Sequence, residues 1–475
     1  METRPRNVTL LALTMGVFLV TLNVTVVTVT LPDIERSLHA RPDELEWVID
    51  AYNLVGASLL LSAGFFADRF GRKRALCAGY TVFAGGALLC ALAPSAGWLI
   101  GFRVLQAVGG TALTPTSLAI VANLYRDPLE RARAIGIWGV ASGVGLGAGP
   151  IVGGAVTDWM GWRAVFVMNA IVGLTALVIA IRVVPRSRSE VARGLDVRGQ
   201  ALAVVLLASL TYALIEAPRY GWGSPRIALL LAADVVLTFV FIVVELRVRE
   251  PLIDLRVFRD RQFSGAIFIT VAVFFAYSGF VYFTALYLQQ VRGMSPLVAG
   301  VVMLPGALPV LALGPISGRL VATRGARGVL FAGTFVLALG TLLLALPEHA
   351  APLWQILVPA LLVGIGYGLI NAPVSTVAVA TLPRQQAGVA AATASSARNV
   401  GLVLGIAVLG SVVNGRLPGL RGHEPFVVAY TNAIHPAYLV AAGVALAAAG
   451  VALSTLRAEP PGTLQPAATP QQQTV

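Results

Sequence analysis

Apolar runs of about 20 residues recur along the whole chain, separated by short segments that hold most of the charge. Fourteen can be marked: 8–31, 46–66, 75–93, 98–123, 133–157, 163–183, 199–217, 226–246, 263–288, 297–320, 328–346, 352–380, 388–413 and 436–456. Lipid offers no water to bond the backbone, so each run predicts a membrane-spanning helix. The expected fold class is an all-α polytopic membrane protein. The Pro- and Gln-rich tail, 457–475, predicts disorder.

Composition agrees with the pattern. Of 475 residues 57% are hydrophobic and only 12% charged, where a soluble protein carries about 25% charged residues. The net charge of +12 would suggest a nucleic-acid partner in a soluble protein. Its distribution points elsewhere, to a lipid bilayer and no nucleic acid. Of 34 Lys and Arg, 24 flank the spans on the N-terminal side and 8 on the other, with Arg103 and Arg398 inside spans. That threefold bias predicts a multi-pass protein of the cell (inner) membrane with both termini cytoplasmic. The first run is too long for a signal-peptide core and has no small-residue cleavage site, so it reads as an uncleaved span.

Several chemistries are excluded. The single lysine, Lys73, is followed by Arg74, so there is no G-x-x-x-x-G-K-[ST] phosphate loop and no ATP-driven pumping. Cys77 and Cys90 lie on one predicted helix about 20 Å apart, too far for a disulfide. No metal set and no nucleophile–base pair is visible, so neither a cofactor nor an enzyme activity is expected.

A repeat divides the chain. GFFADRFGRKR (64–74) follows the second span and GRLVATRGAR (318–327) follows the tenth. Both are Gly- and Arg-rich turns. Two related halves, 8–183 and 263–456, with the hairpin 199–246 inserted between them, suit a secondary transporter whose substrate sits between the halves.

Gly64, Asp68, Arg69, Gly71, Arg72 and Lys73 resemble the major facilitator superfamily loop signature, G-x-x-x-D-R-x-G-R-[RK]. RVLQAVGGTALTP in the fourth span is similar to its R-x-x-Q-G motif at Arg103 and Gln106, with Ala107 in place of the Gly. GVGLGAGPIVGG in the fifth span resembles the antiporter motif at Gly145, Gly149, Pro150, Gly153 and Gly154. Segments 285–305 and 397–410, with the number of spans, narrow the resemblance to the fourteen-helix drug:proton antiporters, over about residues 8–456. It implies a major facilitator fold of two six-helix halves plus an inserted pair. It also implies export of a lipophilic compound driven by protons. One departure matters. Where that family carries L-D-x-T-[IV]-V-N-V-A-L-P, this chain reads LNVTVVTVTLP (22–32): Asn23 replaces the Asp and Thr28 the Asn. Asn cannot take up and release a proton.

Asp50 is the first alternative proton carrier. Asn23, Asp50 and Arg103 are expected at a shared depth, ~7–12 Å below one membrane surface. Asp50, Asn53, Ala57 and Gly64 share one helix side, with Val48, Val55, Leu59 and Phe66 opposite. A carboxylate facing lipid costs about 2.5–3.5 kcal/mol even on the mild insertion scale, so Asp50 should face a water-filled cavity. The bland alternative is a fixed Asp50–Arg103 ion pair. The resemblance implies a proton-relay role for Arg103. Glu216 is either a cation-attracting group at the outer mouth or a surface partner of Arg219. Asp234 reads as structural. Arg398 either packs on a carbonyl or binds an anionic group. Gly136, Gly139, Gly143, Gly147, Pro150 and Gly154 fall on one face of the fifth span, a bare ridge that either serves packing alone or, as the resemblance implies, is a seal and hinge between the halves. Asp68 and Arg69–Arg74 form either a conformational lock or a topology signal. Trp47, Trp98, Trp159, Trp162, Trp222 and Trp354 lie at span ends as interfacial anchors.

The combined expectation is a monomeric secondary exporter of lipophilic drugs or metabolites, cations among them, working by proton antiport. The alternatives are a proton- or cation-coupled importer, and a non-transporting membrane sensor.

Overall fold

The computed structural model describes residues 3–125, 127–187, 196–248, 251–348, 351–382, 387–421 and 425–457. The expected disorder of 457–475 falls on residues that, after 457, lie outside this set. Among the described residues all regular structure is helical. Twelve helices are long and apolar enough to cross a membrane, and two bent pairs raise the number to fourteen.

The N-terminal half comprises α1 (Thr3–Val26), α2 (Leu31–Leu38), α3 (Pro42–Phe70), α4 (Arg72–Ala91), α5 (Ala96–Leu124), α6 (Pro128–Met160) and α7 (Trp162–Val183). A hairpin of α8 (Val197–Tyr220) and α9 (Pro225–Arg247) follows. The C-terminal half comprises α10 (Arg261–Leu286), α11 (Pro296–Val302), α12 (Leu304–Arg324), α13 (Ala326–Leu343), α14 (Trp354–Ala380), α15 (Ala387–Arg421) and α16 (Phe426–Thr455). The "terminal face" below is the end of the bundle that carries residue 3 and residue 457; the "opposite face" carries the α2–α3 turn.

Three spans depart from simple rods, for local reasons. The first is interrupted by a 3-10 turn at Thr28–Thr30. Pro32 lacks an N–H and its ring crowds the carbonyl four residues back, at Thr28. The second bends by 57° between Pro42–Leu60 and Ser62–Phe70. The tenth bends by 46° at Met303, just before Pro305. The two bent spans occupy equivalent places in the halves, each leading into one of the repeated Gly/Arg turns. The last helix starts ten residues before the expected 436 and carries Pro436 inside it.

Burial sorts the helices. Every residue from Ala272 to Leu286 on α10 is buried, which explains why its aromatics surround the helix without marking a face. By contrast α9 turns Leu229, Val235 and Phe239 outward and packs on α8. The hairpin is not merely peripheral. α8 touches both α3 and α15, one from each half, and Gln200 on it donates to the Ser58 carbonyl at 2.6 Å.

The halves meet through α3 against α15 and α6 against α11 and α12. Among the described residues, side-chain hydrogen bonds cross between them near the opposite face. Gln289 donates to the Val29 carbonyl (2.9 Å), Gln290 to Glu35 (2.6 Å), Asn414 to Glu46 (2.7 Å) and Ser295 to Asp158 (3.0 Å). Both glutamines lie on a single π-helical turn, Tyr287–Val291, that ends α10. This state is closed at the opposite face.

Trp98, Trp159, Trp222 and Trp354 are exposed at span ends, as anchors would be. Trp162 is not. It is buried, and its indole N–H donates to Ser37 at 2.7 Å. A buried indole needs such a partner.

Candidate functional site

α3 starts sharply. Pro42 occupies its first turn with Asp43 and Glu44, and the Glu44 carboxylate accepts the Arg41 backbone N–H at 2.8 Å. Hydrogen bonding to Asp43 holds the exposed Arg41 guanidinium still further in its charged range. From this rim the helix runs inward through Glu46, Asp50 and Asn53, all buried.

Arg103, on α5, is fully buried. Its Nε donates to the Val48 carbonyl at 2.9 Å and its Nη1 to Gln106 Oε1 at 3.0 Å and to the side-chain oxygen of Asn23. The guanidinium carbon lies 4.4 Å from the centre of the Tyr52 ring. Asn23 and Arg103 therefore do come together, but Asp50 does not join them. The alternative of a fixed Asp50–Arg103 ion pair is not met among the described residues, and neither Asp50 oxygen has a hydrogen-bond partner. Nor does Asp50 face an open cavity here, since it is 0% exposed. Val48, expected on the outer side of α3, is buried, and its carbonyl is part of the Arg103 cradle.

The result is a separated pair. A buried cation is held by neutral acceptors and a ring. A carboxyl on the neighbouring helix lies buried with nothing to bond. An ionised carboxylate in such a place is very costly; a carboxylic acid is not. Asn53, one turn further along, lines a small cavity between the halves with Thr25, Thr28, Tyr277, Ser278 and Leu402.

A sequence model of the Major Facilitator Superfamily matches residues 13–406. The chain belongs to that superfamily. It is 38% identical to the multidrug resistance protein Stp of Mycobacterium tuberculosis over 410 residues, 86% of this chain and 76% of that one. It is 33% identical to the tetracenomycin C resistance and export protein of Streptomyces glaucescens over 500 residues, 95% and 92% of the two chains. A bacterial homolog of the human lysosomal transporter Spinster, solved inward-facing and occupied, shares the fold. Its TM-score is 0.68 at 19% identity, over 94% of this chain and 96% of that one.

The superfamily loop signature forms one continuous contact set. Arg72 donates to Asp68 at 2.9 Å and to the Ala119 carbonyl at 3.3 Å, and its backbone N–H bonds the Ser187 carbonyl. Lys73 bonds the Ile181 carbonyl at 2.8 Å, and Arg69 lies over the Phe65 ring. Gly71 has φ +101°, a conformation that favours glycine. Gly64 is near only Pro115 of α5. These partners lie in the N-terminal half, or at Ser187 just beyond α7.

The predicted ridge keeps its single face at Gly143, Gly147 and Gly154, and the motif glycines outside it form a second one. Gly145, Gly149 and Gly153 press on α1, at Phe18 and Thr21, Thr25, and Val26. Gly143, Gly147 and Gly154 face the other half, at Leu311, Ala307 and Pro296. Gly300 on α11 returns the contact by lying on the Pro150 carbonyl. Gly136 and Gly139 have nothing within 4 Å. α6 thus carries two glycine faces, one joining it to α1 and one sealing the halves.

The remaining residues fall as follows. Glu216 is buried and lies 3.6 Å from Arg219, which also reaches Asp43 at 3.7 Å. Asp234 is buried on α9 beside Ser209 of α8. Arg398 donates to Ser375 and to the Asn371 carbonyl and lies over the Phe274 ring, the carbonyl-packing alternative. Tyr277 and Tyr367 stack at 4.0 Å beside that ring. Sequence reasoning missed Glu46 and Asn414. The signal was present: Glu46 stands four residues before Asp50, on the same helix side.

Proposed function

We propose that this superfamily member is a secondary exporter of lipophilic compounds, driven by proton antiport through alternating access. The observation that carries the reading is Asp50: a buried carboxyl at the seam of the halves, unbonded, with a buried arginine on the next helix engaged elsewhere. Such a group binds a proton when the site is closed and releases it when water reaches it. Lipophilic cations are suitable cargo, because a cation can take the place of the proton at Asp50. The export direction is supported by relatives named for resistance and export. On this reading the protein lies in the cell membrane as a monomer with its terminal face cytoplasmic. Its partners are protons, lipid and a small lipophilic substrate.

The test is accumulation of a fluorescent lipophilic cation in cells expressing the protein. Active export lowers accumulation, and an uncoupler that collapses the proton gradient restores it. Accumulation that rises on expression, or that ignores the uncoupler, overturns the reading.

A further inference from the structure

Glu46 is a further buried carboxyl on α3. It is 1% exposed and sits one helical turn, about 6 Å, closer to the opposite face than Asp50. Asn414 of α15 donates to one of its oxygens at 2.7 Å, across the boundary between the halves. Its second oxygen has no hydrogen-bond partner. Gly410, one turn before Asn414, leaves the carboxyl group its space, since a Cβ there would collide with it.

The groups around Glu46 share one sign. Asp43 and Asp50 lie on its own helix, Glu216 on α8, and Glu35 on α2. Tyr282 of α10 and Tyr430 of α16 complete a small cavity with Glu35, Gln290 and Asn414. The arginines at this rim, Arg41 and Arg219, are paired with Asp43, Glu44 and Glu216, and no ion pair reaches Glu46 among the described residues. A carboxylate buried in such company has one donor and no cation. A carboxylic acid fits the same space without that cost.

We propose that Glu46 is a coupling residue in its own right: taking a proton from the water of the opposite face lets that face close, and losing it to the same water opens the face. This rests on the antiport reading and adds a second titrating position to it. Asp50 carries the proton through the seam. Glu46 keeps its own proton while the halves are clipped by Asn414 and returns it to the same side on opening. Nothing is oxidised or reduced. An acidic opposite side then favours closure over the loaded carrier, while the driving force stays with the proton that Asp50 carries across.

The experiment measures closure without a substrate. In a background of Cys77→Ser and Cys90→Ala, spin labels are placed at Leu92→Cys and Leu346→Cys. Both positions are exposed loops on the opposite face, one in each half. The distance distribution is followed from about pH 5 to about pH 9 in wild-type background, E46Q, N414A and D50N. Glutamine keeps the volume of the acid and an oxygen for Asn414. The expected result is an open-to-closed ratio that rises with pH in the wild-type background, at most about tenfold per unit for each proton coupled. E46Q should hold the short distance and lose the Glu46 share of that slope. N414A should open at every pH but keep the slope, which separates a titrating role from a merely structural clip. D50N should keep the Glu46 share. If E46Q follows pH as steeply as its background, the proposal fails while the antiport reading stands. If the wild-type background itself ignores pH, both fall.

Discussion

Arg103 donates to Asn23, not to Asp50. A cation at the core of the N-terminal half is therefore held without a carboxylate. The position where the family resemblance calls for an acid supplies a neutral oxygen, and the acid on α3 stays separate.

Asn23→Asp restores a carboxylate beside Arg103. A charge-assisted bond replaces a neutral one, so thermal stability above about pH 5 should rise by ~1–3 kcal/mol. The gain should be lost as the pH falls and the new acid protonates. A melting series across pH checks the size and the sign.

Arg103→Lys keeps the charge but not the fork. An ammonium group cannot reach Val48 O, Gln106 and Asn23 together from the planar geometry that arginine provides. Stability should fall by about 1–3 kcal/mol as these acceptors lose their donor, and transport should fall with it. Equal melting temperatures for the two proteins would contradict this description of the cradle.

The two glycine faces of α6 should separate by phenotype. Gly149→Ala pushes a methyl into Thr25 and Val26 of α1, within one half. It should lower stability by about 1–3 kcal/mol through overpacking in any conformational state. Gly154→Ala pushes against the Pro296 backbone across the halves. It should favour opening of the opposite face, seen as a longer distance between spin labels at Leu92→Cys and Leu346→Cys, with a smaller loss of stability. Identical effects would mean that α6 has one role.

Much of the fold was legible because lipid imposes a simple pattern: a run of apolar residues must be a helix. The interruption at Thr28–Thr30 was also legible, at Pro32, but the long apolar run concealed it. The site was harder. Spacing put Asn23, Asp50 and Arg103 at one depth, and depth says nothing about which side chain the guanidinium reaches. The Val48 carbonyl that takes the Arg103 Nε has no sequence signature, because any residue supplies it. The two faces of α6 are one or two residues apart, about 100–200° of rotation, so spacing separates them but does not say which helix each one meets. Glu46 was overlooked because it stands at a span end, where charge is ordinary. Only the fold shows α15 closing over it.

The central claim is that Asp50 carries the proton. Purified protein in liposomes, loaded with a lipophilic cation and given an imposed pH gradient, tests it most directly. Antiport predicts that protons leaving the acidic compartment drive the wild-type protein to move the cation into it. Asp50→Asn should abolish that dependence. Gradient-driven transport of the same rate in Asp50→Asn, or a wild type indifferent to the gradient, would contradict it.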